Sequence, residues 1–581
     1  MSQKWIYRPE PDEETVDGLS SSLGFGTFES KLLVLRGIDN YQKAREFFKP
    51  TVNDIHDPYL MADMQKAVDR IATAIENGKK IMVYGDYDVD GTTAVALMYL
   101  YLSKIVQKKY LDYYIPDRNS EGYGISTEGI DFAKENGFSL IIALDCGIKA
   151  LDKINYAKEK NIDFIICDHH LPGDEIPDAV AVLDPKRSDC RYPYKELSGC
   201  GVGFKLCQGL NIIYKIPEAE LFELTDLLAI SIAADIVAMT GENRFFAKQG
   251  LKFLRKTRNI GLRLLIPEEK LSHFDISNIV FEIAPKINAA GRISHGKAAV
   301  ELMVSDNLTH ANQIVGDIMN LSDERRELDM NSTDSALKQV TETQQESKFA
   351  TIVYHPEWNK GVIGIVASRL IETFYKPTLV FTDGNNGEMV ASARSVSDFD
   401  VHEALDICSE YFLKFGGHHA AAGLSMEKSK FEDFKIKFEK TVAEKIKDHQ
   451  KEPSITIDSD VNADEINRDF INFHRKLGPF GPQNMKPNLV LKNQKIAGYL
   501  KTMGKDNNHL KFYIKQESTG RNIECVGFKL GQYADDFRNK SFDIAFTLEE
   551  NHWKGNVTHY LNIRDVKFYA DGTGMLEDGS L

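Results

Sequence analysis

The chain has 581 residues, of which 42% are hydrophobic and 27% charged, a balance that suits several packed domains and excludes wholesale disorder. Its 71 Lys and Arg against 86 Asp and Glu give a net charge of −15, so a nucleic-acid partner would have to be held by a local basic groove. Seven cysteines in an odd, sparse set fit neither a disulfide framework nor paired zinc spacing.

Membrane and export signals are weak in this sequence. The longest apolar stretch, around Leu227 to Met239, contains Asp235 and is too short to span a bilayer. The N-terminal MSQKWIYRPEPDEE lacks the apolar core of a signal peptide. We therefore expect a soluble, cytoplasmic protein with reduced thiols and no membrane partner.

Between Lys79 and Asp184, short apolar runs alternate with helical stretches. The runs are KIMVYGD, YLDYYIP, SLIIALD, DFIICD and DAVAVLD. Strands that alternate with helices predict an α/β domain with a doubly wound parallel sheet. Four of the runs end in aspartate, and ligands of such sheets bind outside the carboxyl ends of the strands. We expect these acids to meet at one edge of the sheet.

The rest of the chain predicts three further parts. The polar stretch from about Asp306 to Gln345 predicts a long connector helix. A second, smaller α/β unit follows, with FATIVYH and PTLVF as strands around the helical GVIGIVASRLIETF. It ends at FGGHHAAAG, where we expect a tight turn at Gly416–Gly417. After Lys451, five or six β-rich runs predict a small barrel, with an OB-fold as the favoured type.

The motif GDYDVDGTTA places three carboxylates, Asp86, Asp88 and Asp90, at alternate positions after the first of these strands. Crowded carboxylates are unfavourable unless cations neutralise them. Two other interpretations compete with a metal site. One is a solvated acidic turn, and the other is the DxDGT pattern of haloacid-dehalogenase phosphatases, which residues 88–92 satisfy literally.

Residues at the other strand ends favour the metal site. Asp145 follows SLIIAL, Asp235 ends the helical LLAISIAA, and DFIIC is followed by Asp168, His169 and His170. Aspartates with one imidazole form a hard site suited to Mn²⁺ or Mg²⁺. An aspartate shared by two cations gives the paired-metal clamp of phosphoester hydrolysis. A haloacid-dehalogenase enzyme would need no histidine ligand.

Four of these motifs, GDYDVDG, LDCGI, CDHH and AADIVAM, resemble in order those of the DHH phosphoesterase superfamily. IPDRNSEGYGI, FEIAPKINAAGRI, GVIGIVASRLIE, ASARS and FGGHHAAAG are similar to its single-stranded-DNA-specific exonuclease branch. The resemblance runs from about residue 50 to 425. It implies an N-terminal segment (1–50), a DHH catalytic domain (51–240), a helical region with the connector helix (241–345), a DHH-associated substrate-binding domain (346–450) and an OB-fold nucleic-acid-binding domain (451–581).

The resemblance also implies a site for two divalent cations, Mn²⁺ or Mg²⁺. The implied metal ligands are Asp86, Asp88, Asp90, Asp145, His169 and Asp235, and the implied catalytic set is Asp88, Asp90, Asp145, His169, His170 and Asp235. Asp145 is the expected bridge between the cations, Asp86 is a ligand or lies behind one, and His170 is expected near the scissile phosphate.

Two further acids have other expected roles. Asp168 is expected to hold an imidazole tautomer and not to bind metal. Where the superfamily has asparagine, the motif LDPK carries Asp184. We expect Asp184 to cap a turn, and contact with the metal site is the alternative.

Substrate-binding residues are expected in two groups. In the first domain they are Arg118 and Tyr123 in DRNSEGYG and Arg292 in NAAGRI, and in the second they are Arg369, Ser392, Arg394 and His418. The second group offers cations and a hydroxyl that suit a terminal phosphate. Arg118 or Arg292 could instead be a surface arginine with a structural carboxylate partner. Aromatic residues of the barrel could stack bases, although alternating aromatics more often form a core.

By resemblance, the chain is a metal-dependent exonuclease that hydrolyses single-stranded DNA from the 5′ end to 5′-mononucleotides in recombination and repair. The resemblance implies a monomer that binds single-stranded DNA, with a RecQ-type helicase and a single-strand-binding protein as candidate partners.

Two alternatives remain open. A phosphodiesterase for very short oligonucleotides or cyclic dinucleotides would resemble only the two central lobes, and the long segment after Gln450 counts against it. A catalytically inactive single-strand binder would gain nothing from clustered carboxylates, which repel DNA.

Overall fold

The computed structural model describes residues 3–118, 120–293, 295–384 and 387–569. The chain divides into two units. The first unit consists of residues 11–322 and 472–486, and the second consists of residues 1–10, 323–471 and 487–581.

Strands and helices are numbered in chain order. The strands are β1 (Lys4–Tyr7), β2 (Lys80–Gly85), β3 (Leu111–Tyr114), β4 (Phe138–Leu144), β5 (Asp163–Cys167), β6 (Ala181–Leu183), β7 (Thr351–Tyr354), β8 (Thr378–Asp383), β9 (Glu388–Arg394), β10 (Phe412–His418), β11 (Ala421–Glu427), β12 (Ser454–Ile457), β13 (Ser459–Asp460), β14 (Leu489–Gln494), β15 (Lys501–Met503), β16 (His509–Lys515), β17 (Asn522–Gly527), β18 (Phe542–Trp553) and β19 (Asn556–Phe568). The helices are α1 (Glu13–Leu23), α2 (Thr27–Val34), α3 (Tyr41–Phe48), α4 (Met64–Glu76), α5 (Val89–Leu102), α6 (Thr127–Glu135), α7 (Leu151–Glu159), α8 (Gly199–Tyr214), α9 (Glu218–Glu223), α10 (Thr225–Ala234), α11 (Gly241–Leu254), α12 (Ile260–Leu265), α13 (Ile276–Asn278), α14 (Ala284–Ile293), α15 (Lys297–Val304), α16 (Leu308–Glu342), α17 (Ile363–Phe374), α18 (Val401–Asp406), α19 (Phe431–Lys445), α20 (Arg468–Leu477) and α21 (Ala534–Asn539).

The first unit contains a five-stranded sheet in the order β3-β2-β4-β5-β6, and every neighbouring pair is parallel. Alternate residues of β2 enter different cores: Ile81 and Val83 pack with α5, α8 and α10, whereas Met82 and Tyr84 pack with α6 and α7. The predicted doubly wound parallel sheet is confirmed. Its five strands end where the sequence places them, so the aspartates lie at one edge.

The second unit contains a five-stranded sheet in the order β10-β11-β9-β8-β7, with α17 between β7 and β8. The predicted turn at Gly416–Gly417 is wrong, because both glycines lie within β10 and the hairpin turns at residues 419–420. A Cβ on Gly417 would lie 2.4 Å from the carbonyl oxygen of Ala421. Glycine is needed there for the close approach of β10 and β11.

The C-terminal strands form a seven-stranded sheet in the order β13-β14-β18-β19-β17-β16-β15. Each predicted β-rich run contains a strand, and β12 pairs with β1 in a separate two-stranded parallel sheet. Phe512 and Phe537 are buried core residues, whereas Tyr499 and Phe528 are exposed. Phe512 and Phe537 are therefore not available to stack bases.

The predicted connector helix is confirmed as α16, which has 35 residues. Near its start Ile314 and Ile318 are buried in the core of the first unit, and near its end Ala336 and Val340 are buried in the second. All seven cysteines are buried and unpaired. Among the helices of the described ranges, none has the length and apolar character needed to cross a membrane.

Candidate metal centre

The acidic motif forms a tight loop between β2 and α5. Asp88 is the N-cap of α5, and its Oδ1 accepts a hydrogen bond from the N–H of Gly91 at 2.9 Å. A Cβ on Gly91 would lie 2.4 Å from the carbonyl oxygen of Asp86, so only glycine allows the loop to fold back this closely. The loop therefore brings Asp86, Asp88 and Asp90 to the end of the strand.

Asp90 is held by the start of α8. Its carboxylate accepts hydrogen bonds from the N–H groups of Gly199 (2.7 Å) and Cys200 (2.8 Å) and from the hydroxyl of Ser231 (2.7 Å). The N-terminus of a helix stabilises negative charge. Sequence reasoning missed these partners, although a serine N-cap at Ser198 followed by GCGVG was a usable signal for a close helix start.

His169 lies at the centre of the acids. Its Nε2 is 3.2 Å from Oδ1 of Asp145, 3.5 Å from Oδ2 of Asp235 and 3.9 Å from Oδ2 of Asp90. Two overlapping groups have donor atoms within 4.8 Å of one another: Asp90, His169 and Asp235 form one, and Asp145, His169 and His170 form the other. The structure thus brings together acids that the sequence separates widely.

Several donor atoms of this cluster are buried without a hydrogen-bond partner in the described part of the chain. They are Oδ2 of Asp86, Oδ1 of Asp145 and both ring nitrogens of His169, and the 3.2 Å contact between Oδ1 of Asp145 and Nε2 of His169 lacks hydrogen-bond geometry. Buried polar atoms are normally satisfied, so unpaired ones need an explanation. Carboxylate oxygens with one imidazole are the donors that Mn²⁺ and Mg²⁺ accept. The residues present therefore fit a divalent-cation site.

The pKa values of the acids in the cluster also favour a cation site. Burial, reinforced by the neighbouring Asp88, raises the pKa of Asp86 to about 8. Burial, reinforced by Asp90, likewise raises the pKa of Asp235 to about 8. The pKa values of Asp88 and Asp145 are also raised by burial and by neighbouring carboxylates. Cations would remove this penalty by favouring the ionised acids.

Asp168 orients His170, as predicted for a carboxylate that holds an imidazole. Its Oδ1 lies 2.8 Å from Nδ1 of His170, and its Oδ2 accepts from the N–H of Ile148. Burial opposes ionisation of Asp168, but these hydrogen bonds outweigh it and hold the pKa at about 2. Burial also opposes protonation of His170, but Asp168 raises its pKa overall. Nε2 of His170 lies 3.3 Å from the hydroxyl of Tyr123.

Asp184 occupies the turn that the sequence analysis favoured. Its Oδ1 accepts a hydrogen bond from the N–H of Lys186 at 2.7 Å. Burial raises the pKa of Asp184 to about 7. Oδ1 of Asp184 therefore closes a turn, while its buried Oδ2 has no hydrogen-bond partner among the described residues.

Three predicted substrate residues gather around Tyr87, a residue that sequence reasoning missed. The guanidinium of Arg118 lies 5.1 Å from the centre of the Tyr87 ring, and the ring of Tyr123 meets it edge-on at 6.3 Å. A Cβ on Gly291 would lie 2.7 Å from the carbonyl oxygen of Tyr87, and the charge of the adjacent Arg292 acts on the Tyr87 hydroxyl. Arg118 and Arg292 therefore both lie close to Tyr87, the residue that follows Asp86.

In the second unit, Ser392 and Arg394 lie on the same face of β9, and Nη1 of Arg394 donates to Oγ of Ser392 at 3.0 Å. Ala421 pairs with Arg394 on one side and with His418 on the other, so these side chains share a face of the sheet. A Cβ on Gly364 of α17 would lie 2.9 Å from Nη2 of Arg394, so glycine at this position leaves room for the arginine side chain.

Arg369, the fourth predicted residue of this group, has a carboxylate partner within the second unit. Its Nη2 lies 2.6 Å from Oδ2 of the buried Asp329 on α16. Arg369 therefore ties α17 to the connector helix.

Three family models match successive parts of the chain: the DHH family N-terminal domain at residues 80–232, the DHHA1 domain at 346–444 and the RecJ OB domain at 457–565. The single-stranded-DNA-specific exonuclease RecJ of Bacillus subtilis (strain 168) is 37% identical over 563 residues, which cover 96% of this chain and 70% of that relative. The crystal structure of RecJ with Mn²⁺ from Thermus thermophilus superposes with a TM-score of 0.82 at 25% identity, over 97% of this chain and 79% of that one. The Mg²⁺ complex of the same protein gives 0.74 at 23% identity, over 97% and 78%. The chain belongs to the RecJ family of DHH proteins.

Proposed function

We propose that this chain is a metal-dependent exonuclease that hydrolyses single-stranded DNA in the 5′ to 3′ direction and releases 5′-mononucleotides. The observation that carries the proposal is the buried cluster of aspartates around His169, whose unpaired donor atoms fit divalent cations. The activity in the name of the Bacillus subtilis relative supports the choice of substrate. Recombination and repair are the processes that such an activity would serve.

We propose that two divalent cations, Mn²⁺ or Mg²⁺, are bound by Asp86, Asp88, Asp90, Asp145, His169 and Asp235. When bound, such cations supply positive charge that activates water and stabilises the reacting phosphate. The three hydrogen bonds to Asp90 hold its carboxylate in place before any ligand arrives. This pre-organisation reduces the reorganisation that catalysis would otherwise require.

His170 is the group that acts on the substrate beside the metal ligands. Asp168 engages Nδ1 of His170, so Nε2, which lies 3.3 Å from the Tyr123 hydroxyl, is the ring nitrogen left to face a phosphate. A protonated Nε2 donates a hydrogen bond to a phosphate oxygen and partly neutralises its charge.

Substrate binding is proposed for two groups of residues. Arg118, Tyr123 and Arg292 surround Tyr87, and the two arginines supply local positive charge to a chain of net charge −15. Ser392, Arg394 and His418 share one face of the second sheet and suit a terminal phosphate. For Arg369, its ion pair with Asp329 favours a supporting role in this region.

The test is Mn²⁺-dependent digestion of single-stranded and duplex DNA that carry a label at either end. We expect the 5′ label to appear at once as a mononucleotide, the 3′ label to remain in shortening strands, and the duplex to resist. Cleavage restricted to very short strands would indicate an oligonucleotide phosphodiesterase. Binding without cleavage would indicate an inactive binder.

The proposal also includes a cytoplasmic monomer with the five parts given above, namely 1–50, 51–240, 241–345, 346–450 and 451–581. A RecQ-type helicase and a single-strand-binding protein are its proposed partners.

A further inference from the structure

Residues 472–486 come from the C-terminal part of the chain but pack within the first unit. The residues on both sides of this segment belong to the second unit. Phe473 anchors its start, with ring centroids 5.3 Å from Phe25 and 6.3 Å from Phe48. In the sequence this segment lies within the predicted OB-fold domain (451–581), whereas in the structure it packs within the unit that contains the metal centre.

A buried arginine holds the backbone of this segment. Arg244, 3% exposed, donates hydrogen bonds of 2.9 to 3.3 Å to the carbonyl oxygens of residues 476–479. Carbonyl partners satisfy a guanidinium that burial has removed from water. Nδ2 of Asn484 donates to the carbonyl oxygens of Leu477 (3.0 Å) and Pro479 (2.9 Å) and closes the segment on itself. Residues 477–484 therefore form a fixed loop, called here the brace.

The brace contacts the loop that follows Asp235. The N–H of Met239 donates to the carbonyl oxygen of Pro482 at 2.8 Å. A Cβ on Gly481 would lie 3.1 Å from the side chain of Met239, which is 1% exposed. On its other side, the loop is held by Nδ2 of Asn243, which donates to the carbonyl oxygen of Ala238 at 3.0 Å.

Asp235 depends on its backbone for position more than Asp90 does. Asp90 accepts three hydrogen bonds, whereas in the described ranges no backbone N–H or hydroxyl donates to the carboxylate of Asp235, which contacts His169 at 3.5 Å. The next residue, Ile236, has a φ of 57°, which is rare for a β-branched residue. Such a conformation persists only when the surroundings hold it.

We propose that the brace is a positioning element of the metal centre, which sets the carboxylate of Asp235 through the backbone of Met239. The inference rests on the proposed function in one respect, namely that Asp235 binds a cation. It gives the C-terminal part of the chain a role at the metal centre in addition to any contact with DNA.

The test uses three full-length variants. Asn484→Ala removes the two side-chain hydrogen bonds that close the brace, and Gly481→Val drives a side chain against Met239. Asn211→Ala is the matched control, because its amide also closes a loop, through hydrogen bonds of 2.9 and 3.0 Å with Ile216. Asn211 lies near the end of α8 opposite the end that holds Asp90.

Calorimetric titration with Mn²⁺, amide hydrogen exchange at Met239 and thermal unfolding are measured for each variant. We expect Asn484→Ala and Gly481→Val to bind Mn²⁺ about tenfold more weakly and to exchange the Met239 amide faster. Asn211→Ala should lose a similar amount of thermal stability and keep both properties.

Unchanged Mn²⁺ affinity in both brace variants would overturn the proposal and leave the segment as support for the fold. A wild-type protein that binds no Mn²⁺ would overturn it as well. If the wild type binds Mn²⁺ but degrades no DNA, the proposed function fails, while the affinities and the Met239 exchange still decide the role of the brace.

Discussion

A Cβ atom on Gly199 would lie 2.6 Å from Oδ1 of Asp145, closer than side chains approach in folded proteins. The N–H of the same glycine donates to Asp90 at 2.7 Å. The first residue of α8 therefore fixes the surroundings of two proposed metal ligands at once.

Replacing Gly199 with alanine should disrupt the metal centre. The added methyl group would displace the carboxylate of Asp145, so we expect about a hundredfold loss of Mn²⁺ affinity and of nuclease activity. Gly201→Ala is the matched control, because its Cβ would meet its nearest neighbours at 3.4 Å. Alanine also favours a helix over glycine by about 1 kcal/mol, so this control should be at least as stable as the wild type. Wild-type Mn²⁺ affinity in Gly199→Ala would contradict the assignment of Asp145 as a ligand.

Asp145→Asn should separate stability from metal binding. Burial and the charges of Asp90 and Asp88 raise the pKa of Asp145, so a neutral amide avoids an unfavourable ionisation. Asparagine also tolerates the φ of 58° at this position. Without Mn²⁺, the variant should unfold at the same or a higher temperature than the wild type, and Mn²⁺ should no longer stabilise it.

The control for this change is Asp163→Asn, which removes an ion pair with Arg70 at 2.7 Å. That variant should lose a little stability and keep its stabilisation by Mn²⁺. A full Mn²⁺-induced shift in Asp145→Asn would show that Asp145 is not a ligand.

Binding of Mn²⁺ should release protons and strengthen as the pH rises. Burial raises the pKa of both Asp86 and Asp235 to about 8. A carboxyl group whose pKa is raised by folding stabilises the folded protein while it is protonated. This contribution to the free energy of unfolding is complete below a pH of about 4, the pKa in the unfolded chain, and is lost as the pH rises through about 8. The cation-free protein should therefore become less stable over this range, whereas a cation requires the ionised acids.

This dependence is measured by calorimetric titration in two buffers of different ionisation enthalpy. Near neutral pH we expect at least one proton to leave for each protein molecule that binds Mn²⁺, with affinity rising up to tenfold per pH unit for each proton. An affinity that stays constant from about pH 6 to 8 would mean that the acids are already ionised without metal.

Local patterns predicted the elements that carry the acids but not the contacts that hold them. Asp86, Asp145 and Asp168 each follow a buried parallel strand, and the topology rule for such sheets placed them at one edge. The partners of Asp90 were not predictable in this way, because Gly199 and Ser231 lie 109 and 141 residues further along the chain.

Burial of charged residues was the other feature that the sequence concealed. Arg244 lies in the polar stretch GENRFFAKQ, and arginine is normally exposed, so nothing in the pattern indicated that it would hold a distant segment. The same holds for the ion pair between Arg369 and the buried Asp329. The composition that suggested a phosphate site at Arg369 was equally compatible with a structural pair.

Arg394→Ala should affect substrates according to their 5′ terminus. Arg394, Ser392 and His418 share a face of the second sheet, and a charge-assisted contact with phosphate is worth about 1.5–3 kcal/mol. We expect about a ten- to hundredfold loss of kcat/KM on 5′-phosphorylated strands and a smaller loss on 5′-hydroxyl strands, whose terminus carries less charge. Arg369→Ala is the comparison, because loss of its pair with Asp329 should lower stability and change activity equally on both substrates. Equal losses on the two substrates in Arg394→Ala would mean that Arg394 contacts an internal phosphate, and no loss on either would remove it from the binding site.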